Sequence, residues 1–169
     1  MANTDSKKSF QVRSDRKWYT KKIEVVANYT GQNGDVVYQD ANSRGTQTQG
    51  KIIGIQKGGI EDVSIPGQTV TTAALGDKII VYYEPDLQFT GQISTGAITD
   101  EATTSVKTAA FDIDSSTPGQ HFVDAASSTD DEIRVVEDWF EDDGEPSEAG
   151  ANQKKVFMFQ SDAHYLGTG

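Results

Sequence analysis

The chain has 169 residues, no cysteine and only two histidines, which excludes disulfides and thiolate metal sites and leaves zinc centres and histidine-based triads little to draw on. Its length suits one domain with a core, or one domain with an arm, and a 35% hydrophobic share rich in turn formers fits many short strands better than packed helices. The net charge of −11 is unevenly spread: residues 1–24 carry seven Lys or Arg against Asp5, Asp15 and Glu24, a net of +4, whereas residues 111–150 carry Arg134 against thirteen acids, a net of −12.

In chain order, residues 1–9 offer almost nothing to bury and read as a leader, too polar for a secretory signal. Phe10–Val12, Trp18-Tyr19 and Ile23–Val26 read as an extended basic arm, residues 1–24, that ends in the first core strand. Asn28-Tyr29-Thr30 matches a glycosylation sequon, but with Gly31 it reads as a strand-end turn. A strand over 35–39 and a polar loop over 40–49 follow. Then come strands over 51–55, 59–65, 68–72 and 78–83, punctuated by Gly58-Gly59, Pro66-Gly67 and Gly76-Asp77. The run Ile79–Tyr83 is apolar on both faces and predicts a central strand. Weaker strands are expected over 89–93, 105–111 and 121–123, and the single helix candidate, Asp100–Thr108, is weakened by its threonines.

The last pattern is the strongest: Ile133–Phe140 and Lys154–Phe159 are short, apolar and rich in β-branched or aromatic residues, separated by an acidic Gly/Pro-bearing segment. They predict two strands joined by a long surface loop. The whole is an all-β, single sandwich- or barrel-like domain over residues 25–169 with an extended N-terminal arm. No apolar run approaches the length of a membrane span, so no membrane partner is expected.

Few groupings point to chemistry. Gly45-Thr-Gln-Thr-Gln-Gly50-Lys51 fits the first seven positions of a phosphate-binding loop, but Ile52 stands where Ser or Thr must hold magnesium, and a strand pattern follows where a helix is required. A flexible surface loop is the expectation. Glu84/Asp86 and Asp112/Asp114 sit two apart on strand patterns and face the same way, unlike the opposed carboxylates of a glycosidase. These acids, with Asp142, Asp143 and Glu145, lack the ligand order of a calcium-binding loop, so no cofactor or metal is expected. His121 and His164 read as satisfied polar side chains. Trp18-Tyr19 among Arg13, Arg16, Lys17, Lys21 and Lys22 has the makings of a single-strand nucleic-acid site, yet the acidic remainder repels phosphate, so no nucleic acid is expected.

Three stretches together resemble the head decoration, or capsid-cementing, proteins of tailed bacteriophages: Leu75–Tyr83, Gln120–Asp124 followed by Asp131–Trp139, and Lys155–Phe159. The resemblance covers roughly residues 70 to 160. It implies a non-enzymatic all-β protein, commonly a homotrimer, made in the host cytoplasm and seated on the outer capsid surface, where it bridges major capsid protein subunits. The capsid-binding residues it implies lie in the arm: Lys7, Lys8, Phe10, Arg13, Arg16, Lys17, Trp18 and Tyr19. An extended basic arm suits strand addition to a partner, with Trp18 and Tyr19 as anchors. The alternatives are another virion component, such as a head-fibre base, a tail part or a small capsid subunit, and a carbohydrate-binding β-sandwich using Trp18, Tyr82, Tyr83 or Trp139.

Overall fold

The structure, a computed structural model, describes residues 9–98, 110–138 and 153–167. Among them there is no helix, and the strands are β1 (Gln11–Val12), β2 (Thr20–Glu24), β3 (Val36–Gln39), β4 (Gly45–Thr46), β5 (Ile52–Glu61), β6 (Thr69–Val70), β7 (Lys78–Tyr82), β8 (Gln88–Thr95), β9 (Ala110–Asp114), β10 (Phe122–Asp124), β11 (Ile133–Asp138) and β12 (Lys154–Phe159). The all-β reading holds.

Two sheets share these strands. One runs β1-β8-β10-β9-β11-β12 and closes on itself because β12 also pairs with β8; the other runs β2-β7-β5-β3-β4, with β6 on β5. Every pairing is antiparallel except β8 with β10. The second sheet also curls, since a parallel bridge joins Val25, just past β2, to Gly45 of β4. Closure of this kind removes edges that would otherwise recruit other chains.

Period-two alternation explains how one strand serves two cores. Along β3, Val36 and Tyr38 enter the core shared with the first sheet, where Phe89, Ile93, Val123, Ile133 and Phe157 lie, while Val37 enters the inside of the curled sheet with Ile53, Ile79 and Val81. Strand β5 also divides, sending Ile52 and Ile55 one way and Ile53 and Ile60 the other; these odd spacings break the period of two and match the register shifts of β5 against β3 and β7. The paired apolar runs near the C-terminus form as expected, β11 on β12 with Ile133 opposite Phe159 and Val135 opposite Phe157. Their connection lies outside the described residues, as do the helix candidate and most of the strand expected over 105–111.

Three expectations change. The Gly58-Gly59 pair is no turn: β5 runs straight through it as one ten-residue strand. Gly58 has φ +75°, and the register against β7 jumps from Lys57↔Ile80 to Glu61↔Lys78, so the glycines form a bulge inside the strand. The phosphate-loop look-alike begins as strand β4, with Gly45 and Thr46 buried, and Gly45 is packed so closely that a Cβ there would press on Val37 and Val25. The third change concerns the arm.

Residues 10–24 are built into the domain. Strand β1 pairs with β8, Gln11 opposite Thr90 and Val12 opposite Phe89, and β2 pairs with β7 along its whole length. Phe10 is 3% exposed and meets Phe89 edge-on at 5.1 Å; Trp18 is 7% exposed and lies in the same core. Gly91 makes room for this, since a Cβ there would sit 2.7 Å from the Phe10 ring. The apolar residues that read as anchors for a partner are satisfied at home, for burial gains the same free energy within a chain as between chains.

Candidate functional site

The eight residues implicated in partner binding separate into distinct environments. Lys7 and Lys8 lie outside the described residues. Phe10 and Trp18 are core. The Trp18 indole N–H donates to the Arg13 carbonyl at 2.8 Å, and the Arg16 guanidinium lies 3.7 Å above its ring. Arg13 reaches Gln88 at 3.0 Å, Asp15 at 2.7 Å and Glu137, while Arg16 meets Glu84 at 3.2 Å and Asp86 at 3.5 Å. The basic segment therefore finds some of its acidic neighbours in its own chain, Glu137 among the acid-rich residues 111–150. Such exposed pairs fix geometry more than they add stability, about 0–1 kcal/mol each.

Lys17 and Tyr19 are left facing water. Tyr19 is 68% exposed, the most open of the large apolar side chains described, and Lys17 makes no ion pair among the described residues. Next to them runs β2, where Thr20, Lys22 and Glu24 point outward and Lys21 and Ile23 inward. Lys22 pairs with Glu61 at 2.8 Å, and Lys21 donates to the Tyr165 hydroxyl and lies 4.4 Å from the Tyr165 ring centre.

Beneath this segment lies a buried polar network that the sequence signals only as scattered residues. Asp35, fully buried, accepts from the Ser9 hydroxyl at 2.8 Å, from the Gln32 amide at 2.9 Å and from the Gly119 amide at 2.9 and 3.1 Å. Ser9 in turn accepts the His121 amide at 2.9 Å. His121 accepts the Val36 amide on Nδ1 at 3.0 Å, so its proton is on Nε2, which lies 3.8 Å from Asp35 and has no hydrogen-bond partner among the described residues. Serine, histidine and aspartate thus meet, but Ser9 donates to the aspartate instead of the imidazole, and all three are sealed from solvent. A nucleophile needs its base within reach and a substrate beside it. This network anchors the N-terminal segment.

The acids behave alike. Asp112, Asp130 and Glu132 bring carboxylate oxygens within 4.8 Å of one another. However, Asp112 accepts the Asp130 and Asp131 amides on one oxygen and the Thr129 amide and Ser127 hydroxyl on the other. Glu132 accepts the Ile113 amide and the Tyr38 hydroxyl. Four donor hydrogens occupy the Asp112 oxygens and one lies on each oxygen of Glu132, so the cluster reads as a loop clamp. Burial alone would raise the Asp112 carboxyl pKa; the Ser127 hydroxyl and the three amides outweigh it and hold the group below its ordinary value.

His164 is the fully satisfied histidine expected, with Nε2 on the Ile53 carbonyl at 2.9 Å and Nδ1 accepting the Leu166 amide at 3.1 Å. His121 is the less comfortable one. Its burial depresses its pKa, against the pull of Asp35 and Asp114, while burial raises that of Glu132. An unfolded chain takes up a proton at His121 as pH falls through about 6.5, before the folded one does, so this group removes stability on acidification. Glu132 acts oppositely: its contribution, present below about pH 4.5, is lost as pH rises through its raised pKa. In His121→Asn, where an amide oxygen takes the place of Nδ1, urea unfolding should show the acid-side loss reduced by on the order of 1 kcal/mol near pH 5.5, leaving the opposite slope of Glu132. An unchanged profile would remove His121 from the account.

The aromatic set for a sugar platform is also largely turned in: Trp18 is buried, and Tyr82 and Tyr83 are partly buried against the two cores, with Trp139 outside the described residues. Comparisons with models of protein families, with curated proteins and with solved structures found no match to this chain.

Proposed function

We propose that the chain is a non-enzymatic virion structural protein that decorates the outer surface of a phage capsid and stabilises it by bridging major capsid protein subunits, as a trimer. The observation that carries this reading is the way the basic N-terminal segment is presented: seated in the domain through Phe10 and Trp18, it leaves Tyr19 and Lys17 exposed beside β2 on a molecule of net charge −11. A lysine and an aromatic ring held rigidly on an acidic body orient a partner by charge and contact, while Arg13, Arg16 and Lys22 are paired within the chain. The resemblance over residues 70 to 160 supplies the kind of partner, and three copies in a trimer supply the effective concentration that makes modest contacts hold. The polar groups rich enough for chemistry, Asp35, Asp112, Glu132 and His121, are taken up in internal hydrogen bonding.

The test is sedimentation of the purified protein with the shells of the particle that carries it, together with light scattering of the free protein. Saturable co-sedimentation and a mass three times that of the chain are expected, with shells that tolerate higher temperature when decorated. Shells that sediment without the protein at saturating concentration would refute the assignment, and a monomeric mass would remove the trimer.

A further inference from the structure

The closed parts of both sheets draw attention to the edge that stays open. In β2 the hydrogen-bond phase is set by the Val25 amide, which donates to the Asp77 carbonyl at 3.0 Å, and by the register Glu24↔Lys78 to Thr20↔Tyr82. In an antiparallel ladder the bonded residues alternate. Lys21, Ile23 and Val25 thus bond to β7, and the N–H and C=O groups of Thr20, Lys22 and Glu24 point away from the sheet. The Glu24 carbonyl takes the Gly45 amide in the parallel bridge between Val25 and Gly45, whereas the Thr20 and Lys22 groups and the Glu24 amide pair with no other strand among the described residues. Beyond Glu24 the edge is covered, since the Val26 amide donates to the Gly45 carbonyl at 3.0 Å and Glu24 pairs with Arg44 at 3.8 Å.

The side chains along this edge state what fits it. Lys17 and Lys22 face outward beside Glu24 and Glu61, Lys22 paired with Glu61 at 2.8 Å and Lys21 turned inward onto Tyr165, with exposed Tyr19 at the open end, on a chain that is acidic overall. A second copy fits poorly, for pairings centred on Lys21 or Lys22 oppose lysine to lysine, and the next register runs into Gly45. An extended segment bearing carboxylates fits both the backbone and the charge.

We propose that the open edge of β2, flanked by Lys17, Tyr19 and Lys22, takes up an extended acidic segment of the partner protein as an added strand. The inference rests on the capsid-binding reading and reverses the direction of strand addition: the partner supplies the strand and this chain the edge. Tyr19 covers the apolar part of the incoming segment, Lys17 meets its carboxylates, and Lys22 is shared between them and Glu61.

The experiment is amide hydrogen exchange of the full chain with a synthetic peptide of about ten residues alternating threonine or valine with glutamate, and with its lysine counterpart. The glutamate peptide should slow exchange at Thr20, Lys22 and Glu24 by roughly tenfold and leave Lys21 and Ile23 unchanged. Protection should fall at about 0.5 M salt, and the lysine peptide should give none. Lys22→Pro removes an amide the fold does not use, so it should fold and lose the protection; Lys22→Glu should weaken binding by about two- to fivefold. Should the proline variant not fold, the glutamate variant and the salt series decide. Absence of protection at the three amides, equal protection by the lysine peptide, or protection that rises with protein concentration alone, which would point to a second copy, overturns the proposal. Sedimentation with shells while these amides stay unprotected removes the edge and keeps the capsid reading; peptide protection without sedimentation does the reverse.

Discussion

Phe10→Ala and Trp18→Ala are each expected to lower the unfolding free energy by about 3–5 kcal/mol, the range for removing a large aromatic side chain from a packed core. Phe10 touches Phe89, which itself lies 4.7 Å from Phe159 and 6.5 Å from Phe157, so the cavity opens at the centre of the shared core. Trp18 adds its indole hydrogen bond to Arg13 and its contact with Arg16. Urea unfolding of the two variants measures this directly; losses below about 1 kcal/mol would mean that the segment is held weakly and behaves as an arm. The same placement governs truncation. Removing residues 1–8 should leave stability nearly unchanged, whereas removing residues 1–20 strips β1, Phe10 and Trp18 from the core and should leave a chain that does not fold cooperatively.

Asp35→Ala should cost about 3 kcal/mol, because it leaves the buried Ser9 hydroxyl and the partly buried Gln32 and Gly119 amides without their acceptor. Asp35→Asn keeps one oxygen and should cost less, though its amide group turns donor hydrogens toward other donors. The distinguishing readout is local: exchange at the Gln32, Gly119 and His121 amides should quicken before the rest of the fold loosens, since Ser9, Asp35 and His121 are bonded together. If Asp35→Ala unfolds at the wild-type urea concentration, the network contributes no net stability and the N-terminal segment is held by Phe10 and Trp18 alone.

Much of this fold is legible locally. The two C-terminal strands, the run through Ile79–Val81 and the strand Val36–Gln39 carry period-two or doubly apolar patterns that depend only on neighbouring residues. Glycine is ambiguous in the same reading, for Gly58 and Gly59 have the composition of a turn and lie within a strand, and only the β7 register reveals the bulge. The buried network was invisible for another reason: Ser9, Asp35, Gly119 and His121 are separated by up to 112 residues, and no spacing rule links them.

What the amino-acid order determined alone is the class of the molecule: short strands with turn residues between them, a basic front and an acidic block, and apolar side chains at 10 and 18 that must be buried somewhere. Tertiary structure decided where. Hydrophobic burial and ion pairing have the same chemistry whether the partner is another chain or a strand 79 residues away, so only the three-dimensional arrangement shows that Phe10 reaches Phe89 and Arg13 reaches Glu137, and that β2 is left with backbone groups turned to water.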